Sequence, residues 1–137
     1  MVSFTDKLLL CLGSSVIFFI LNTEGMYITT QTVTGLTIYD LKTKCYTILG
    51  LLIHILLFGG ITYLGMLGSS IDDGFKTKHL IYSTILFYLI STKGLQNILT
   101  MIFGDNLSSL QGCPNVYGVA TATIIFMLIL IILLTLT

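Results

Sequence analysis

The chain has 137 residues, 55% hydrophobic and 9% charged, with six basic and six acidic side chains and a formal net charge of zero. All the basic residues are lysine. Without arginine's planar fork or a basic stripe, phosphoryl transfer and direct contact with nucleic acid are poor readings, and a mean hydropathy of +1.00 points to lipid.

The first apolar segment covers residues 3–21 and is strongest from Leu8 to Leu21. Lys7 before this stretch imitates a secretory signal, but Asn22-Thr23-Glu24-Gly25 offers no small-x-small cleavage site, so a retained helix is expected. Residues 26–40 come next. Tyr27 to Val33 and Leu36 to Tyr39 are rich in β-branched and aromatic residues, and Thr34-Gly35 lies between them. That pattern predicts a small β-hairpin, with an extended loop as the alternative. A hairpin there needs a neighbour, so Tyr27, Ile28, Val33, Leu36, Ile38 and Tyr39 are expected to form a partner-docking surface.

Residues 45–67 give a second span in which His54 stands alone among apolar neighbours. The loop 68–79 follows, with Asp72-Asp73-Gly74 read as a turn carrying solvated charges. The third segment, 80–103, is interrupted by Ser91-Thr92-Lys93-Gly94. Leu95, Ile98, Leu99, Ile102 and Phe103 nevertheless keep helical spacing, with Lys93, Gln96, Asn97 and Thr100 on the opposite face. One long helix with its polar stripe inward is expected; a shorter span followed by an interfacial amphipathic helix is the alternative. Residues 116–137 hold no charge, and as a helix of about 33 Å they exceed a hydrocarbon core of about 30 Å.

These segments predict an all-α membrane protein, a four-transmembrane-helix bundle with a small β-hairpin in the first loop. Both termini and the 68–79 loop then share one side, and lysines 7, 76 and 78 against 42 and 44 only weakly place that side in the cytoplasm. Aligning the spans at one depth brings Ser14, Ser15, His54 and Lys93 into a polar intramembrane layer continued by Gln96 and Asn97. Interhelical hydrogen bonding is the plain reading of that layer, and a proton or ion path is the functional one. No carboxylate lies at the depth of Lys93, although proton pathways usually include one.

Cys45 and Cys113 flank the same membrane face in this topology, so a disulfide between them is geometrically open, with two free thiols as the alternative. Cys11 reads as a packing residue. The cysteines and histidines show no metal-site spacing, no cofactor motif is present, and no Gly-x-Ser-x-Gly elbow, phosphate loop or His-Glu-x-x-His occurs. Asn106-Leu107-Ser108 is a glycosylation sequon set close to the bilayer. An enzyme is not expected.

The short loops around Ile71-Asp72-Asp73-Gly74 and Gly112-Cys113-Pro114-Asn115, residues 26–40 and the tail Ile124 to Leu136 give the chain an overall plan. In that plan it resembles the small multi-pass, capsid-associated membrane proteins of large icosahedral DNA viruses. The resemblance implies a minor capsid protein tying a virion inner membrane to its shell, with the bilayer and other proteins of a large assembly as partners. A small oligomeric channel or viroporin, and an accessory subunit of a respiratory or transport complex, are the other expectations.

Overall fold

The computed structural model describes residues 2–40, 42, 45–104 and 115–136, leaving out the side chain of Lys93. Six helices take up 82% of the described residues: α1 (Phe4–Leu21), α2 (Glu24–Thr34), α3 (Ile48–Leu67), α4 (Asp73–Ser91), α5 (Lys93–Phe103) and α6 (Val116–Leu136). Two strands, β1 (Tyr39–Asp40) and β2 (Cys45–Tyr46), pair antiparallel with Tyr39 opposite Tyr46.

Helices α1, α3 and α6 are long and apolar enough to cross a membrane, while α4 and α5 pass that test only together, as a pair bent by 68°. The outer faces stay bare, as Leu56 at 76% and Leu136 at 79% exposure show. In water such surfaces would drive aggregation; in hydrocarbon they cost nothing.

Four phenylalanines set the bundle. Phe18 of α1 stacks on Phe126 of α6 at 4.6 Å and meets Phe87 of α4 edge-on at 5.3 Å, while Phe58 of α3 touches both Phe87 and Phe126. Each is at most 1% exposed, so the bundle axis is filled. Contacts of Ser14 with His79 and of Asn22 with Ser91 keep nearly the same offset as Phe18 with Phe87, so α1 and α4 run parallel. His54 meets Leu21 while Thr62 lies beside Ser14, and Phe126 meets Phe18 while Leu136 lies beside Phe4, so α3 and α6 run antiparallel to α1.

A small two-stranded hairpin is present after the first span, as expected, but at Tyr39–Asp40 and Cys45–Tyr46 rather than over residues 26–40, most of which is α2. Each threonine of α2 finds a backbone carbonyl four residues back, Thr29 to Gly25, Thr30 to Met26, Thr32 to Ile28 and Thr34 to Thr30. A helix therefore satisfies these hydroxyls internally, and packing overrides β-propensity. Gly35 closes the helix at φ 70°, its amide donating to Gln31 O. The Thr34-Gly35 pair is thus a helix terminus rather than a hairpin turn.

Neither α3 nor α4 starts where expected. Thr47 caps α3 by accepting from Gly50 N, so the span begins at Ile48. Asp72 caps α4 by accepting from Phe75 N, which moves the helix start from residue 80 to Asp73 and absorbs His79. The expected single helix over 80–103 breaks at Thr92, whose ψ of 150° leaves helical space. The broken ladder is repaired locally, since Gln96 Nε2 donates to Ile90 O at 3.2 Å and Thr92 Oγ1 to Leu89 O at 2.7 Å.

Candidate functional site

At the end of the bundle where α1 stops, α2 and the β1–β2 pair form a cap over α3. The carbonyl of Leu21 lies in the last turn of α1, beyond the reach of the helix ladder. His54 supplies its partner: Nδ1 donates to Leu21 O at 2.6 Å, and Nε2 lies 2.9 Å from Thr30 Oγ1 of α2. With the ring proton on Nδ1 for Leu21 O, the one Thr30 hydroxyl hydrogen is shared between His54 Nε2 and Met26 O. His54 is fully buried and thereby ties three helices together.

Tyr27 lies on the imidazole, ring on ring at 4.0 Å and 4°, and Tyr46 and Tyr39 lie nearly parallel to Tyr27 at 5.0 and 5.9 Å. Burial, followed by the neighbouring Tyr46 and Tyr39 phenols, raises the Tyr27 hydroxyl well above the ordinary phenol range. Burial also pushes Tyr46 up to about 12, and burial with the Glu24 carboxylate does the same for Tyr39. The three phenols therefore stay protonated at ordinary pH.

Two further contacts hold the strands down. Gln31 Oε1 accepts from both Ile38 N and Tyr39 N, at 3.0 and 2.9 Å. Ile38 O accepts from Thr47 N and Thr47 Oγ1 while its side chain lies over Gly50. The backbone comes so close there that only glycine leaves room.

Of the residues expected to dock a partner, Tyr27, Ile38 and Tyr39 are spent inside the cap, and Ile28 packs partly against the core. Val33 and Leu36 do face outward, at 80% and 43% exposure.

The polar residues expected in one layer fall into separate places. Ser14 is bonded to His79, with Oγ 2.7 Å from Nε2, and not to His54. Ser14 and Leu21 are about 10 Å apart along α1 at 1.5 Å per residue, so the two histidines occupy different depths. Ser15 turns back on Cys11 O, Gln96 serves the break, and Asn97 is exposed. Lys93 opens α5, and its side chain lies outside the described residues.

His79 was missed because residues 68–79 were read as a loop; the signal that could have found it is Asp72 as a helix cap. Its Nδ1 and the hydroxyl of Thr62 are buried without a partner, and both residues line a cavity of about 210 Å³ between α1, α3 and α4. Cys45 is buried in β2, and the expected pairing involves Cys113, which is outside the described residues, as is the sequon at 106–108. Among the described residues no three His, Cys, Asp or Glu side chains gather to hold a metal ion.

Comparison with protein-family models, with curated proteins and with solved structures finds no match to this chain.

Proposed function

We propose that the protein is a structural membrane component: a four-crossing bundle that anchors in lipid while its cap contacts a protein layer. In this reading α4 and α5 supply the third crossing, α4 running through the bilayer and α5 turning into the interface. The resemblance noted in the sequence gives the setting, a virion in which a membrane lies beneath a protein shell.

The observation that carries the proposal is how the polar side chains are used. His54, Thr30, Gln31 and Gln96 are consumed in holding helix ends and turns together. What remains outward is apolar belt and cap surface, with Val33 and Leu36 at its edge. A pore is the competing reading, and the Ser14, Thr62 and His79 cavity speaks for it. Phe18, Phe58, Phe87 and Phe126 fill the bundle axis, which weighs against conduction through a single chain.

Gentle extraction from native membranes or particles, followed by mass spectrometry, tests the anchoring role. A stoichiometric protein partner is expected, and Val33→Asp with Leu36→Asp should release it without unfolding the bundle. Recovery of the chain alone, in mild detergent and in every particle fraction, would contradict the proposal.

A further inference from the structure

The cavity of about 210 Å³ between α1, α3 and α4 lies away from the cap and has a polar floor in an apolar shell. His79 and Thr62 are 0% and 4% exposed, and His79 Nδ1 and Thr62 Oγ1 have no hydrogen-bond partner although both residues line the space. Ser14, also in the wall, occupies only the other ring nitrogen, its Oγ lying 2.7 Å from His79 Nε2. Two orphaned polar atoms in one cavity cost stability unless an occupant bonds them.

The rest of the wall shapes the way in. Leu9, Leu10, Ile17 and Ile61 are apolar, while Gly13 and Gly65 stand exposed at the rim, where a Cβ would meet nothing within 4 Å. The missing side chains open the cavity sideways between α1 and α3, toward the lipid-facing surface. A single water, whose share of volume is about 30 Å³, would fill little of this space, and a cluster of waters would face apolar walls.

Depth narrows the chemistry. Helix α3 has 20 residues, about 30 Å, close to the thickness of a hydrocarbon core. Thr62 stands five residues from its end at Leu67, and His79 six from the start of α4 at Asp73, so both lie about 8 to 9 Å inside. A charged headgroup sinks that far only at a large penalty, whereas a lone hydroxyl leaves the interface at far smaller cost. A hydroxyl also suits both orphans whichever tautomer His79 adopts. Nδ1–H can donate to the ligand oxygen while the ligand O–H donates to Thr62 Oγ1. In the other tautomer the Thr62 hydroxyl donates to the ligand oxygen and the ligand O–H to Nδ1.

We propose that this cavity binds a neutral lipid headed by one free hydroxyl, the hydroxyl set between His79 Nδ1 and Thr62 Oγ1 and the hydrocarbon leaving between α1 and α3. The assignment rests on the membrane-crossing part of the function above and not on the anchoring role.

The probes are octadecanol and its methyl ether, each with a diazirine in the chain, photolysed with the full chain in phosphatidylcholine nanodiscs and mapped by peptide mass spectrometry. Both should label the outer belt around Leu56, which reports that the helices lie in lipid. Only the alcohol should concentrate beside Gly13 and Gly65, by about tenfold over the ether. Thr62→Val keeps the shape and removes the hydroxyl, so it should lower that excess about fivefold. Gly65→Leu should fill the opening and abolish the excess, with the helical signal of both variants unchanged by circular dichroism. Competition by unlabelled diacylglycerol or by cholesterol supports the site and assigns its natural occupant to glycerolipids or to sterols. Equal labelling of the groove by alcohol and ether, an excess untouched by both variants, or competition from neither lipid would overturn the proposal while the belt labelling still stood. Loss of the belt labelling as well would overturn the crossing itself.

Discussion

Replacing His54 by leucine is expected to lower the stability of the bundle in mild detergent by roughly 2 to 4 kcal/mol. Leucine fills much of the space but leaves Leu21 O without its partner and Thr30 Oγ1 with Met26 O alone, each lost bond being worth about 0.6 to 1.7 kcal/mol in membrane bundles. The Tyr27 ring also loses its stacked neighbour, about 0.5 to 1.5 kcal/mol more for an aromatic pair. Thr30→Val removes only one of these contacts and should cost about 1 kcal/mol. Thermal unfolding followed by circular dichroism separates the two variants. If His54→Leu melts with the parent, the imidazole does not tie the helices and the cap is held some other way.

The second large effect belongs to Gly50→Ala. A Cβ at Gly50 would lie 2.5 Å from Ile38 Cγ2 and 2.6 Å from Ile38 O. The side chain could rotate, but the carbonyl is held by Thr47 N and Thr47 Oγ1. Relieving the clash means lifting the strand off α3, at a cost of about 1 to 3 kcal/mol that outweighs the alanine's gain in helix propensity of about 1 kcal/mol. The expected signature is local. Proteolysis between residues 35 and 47 should accelerate, and the near-ultraviolet signal of the stacked tyrosines should fall, while the helical signal persists. Gly60→Ala is the control on the same helix, since a Cβ there meets nothing within 4 Å and should leave the cap unchanged. Identical behaviour of the two variants would mean that Ile38 does not sit on α3 as described.

Much of the bundle was legible because apolar runs close to or above the thickness of a bilayer core leave one solution for their backbone. Residues 3–21 and 116–137 became α1 and α6 nearly as expected, because nothing in those runs offers the chain an alternative to a helix. The third segment was ambiguous for a physical reason. Ser91-Thr92-Lys93-Gly94 can continue a helix or stop one, and whether Ile90 O finds a replacement donor depends on where Gln96 can reach.

The cap was misread for a different reason. Thr29, Thr30, Thr32 and Val33 favour strands when judged one at a time, whereas the signals for a helix were Glu24 in the first turn and Gly35 at the end. Neither signal says that Tyr27 and Thr30 will face His54, which is separated from them by the loop and both strands. That pairing decides the cap, and only tertiary packing creates it. The polar layer failed likewise: equal depth was assumed for helices that end at different levels, and His79 was hidden by a helix start placed too late.

The central claim is that α1, α3, the α4–α5 pair and α6 each cross the bilayer, with the cap on one side. Sealed vesicles carrying the chain with an epitope tag at each end and a protease site inserted after Gly35 test it directly. The account predicts that both tags are digested together or protected together, and that the site after Gly35 shows the opposite accessibility. Tags that fall in opposite compartments would contradict it.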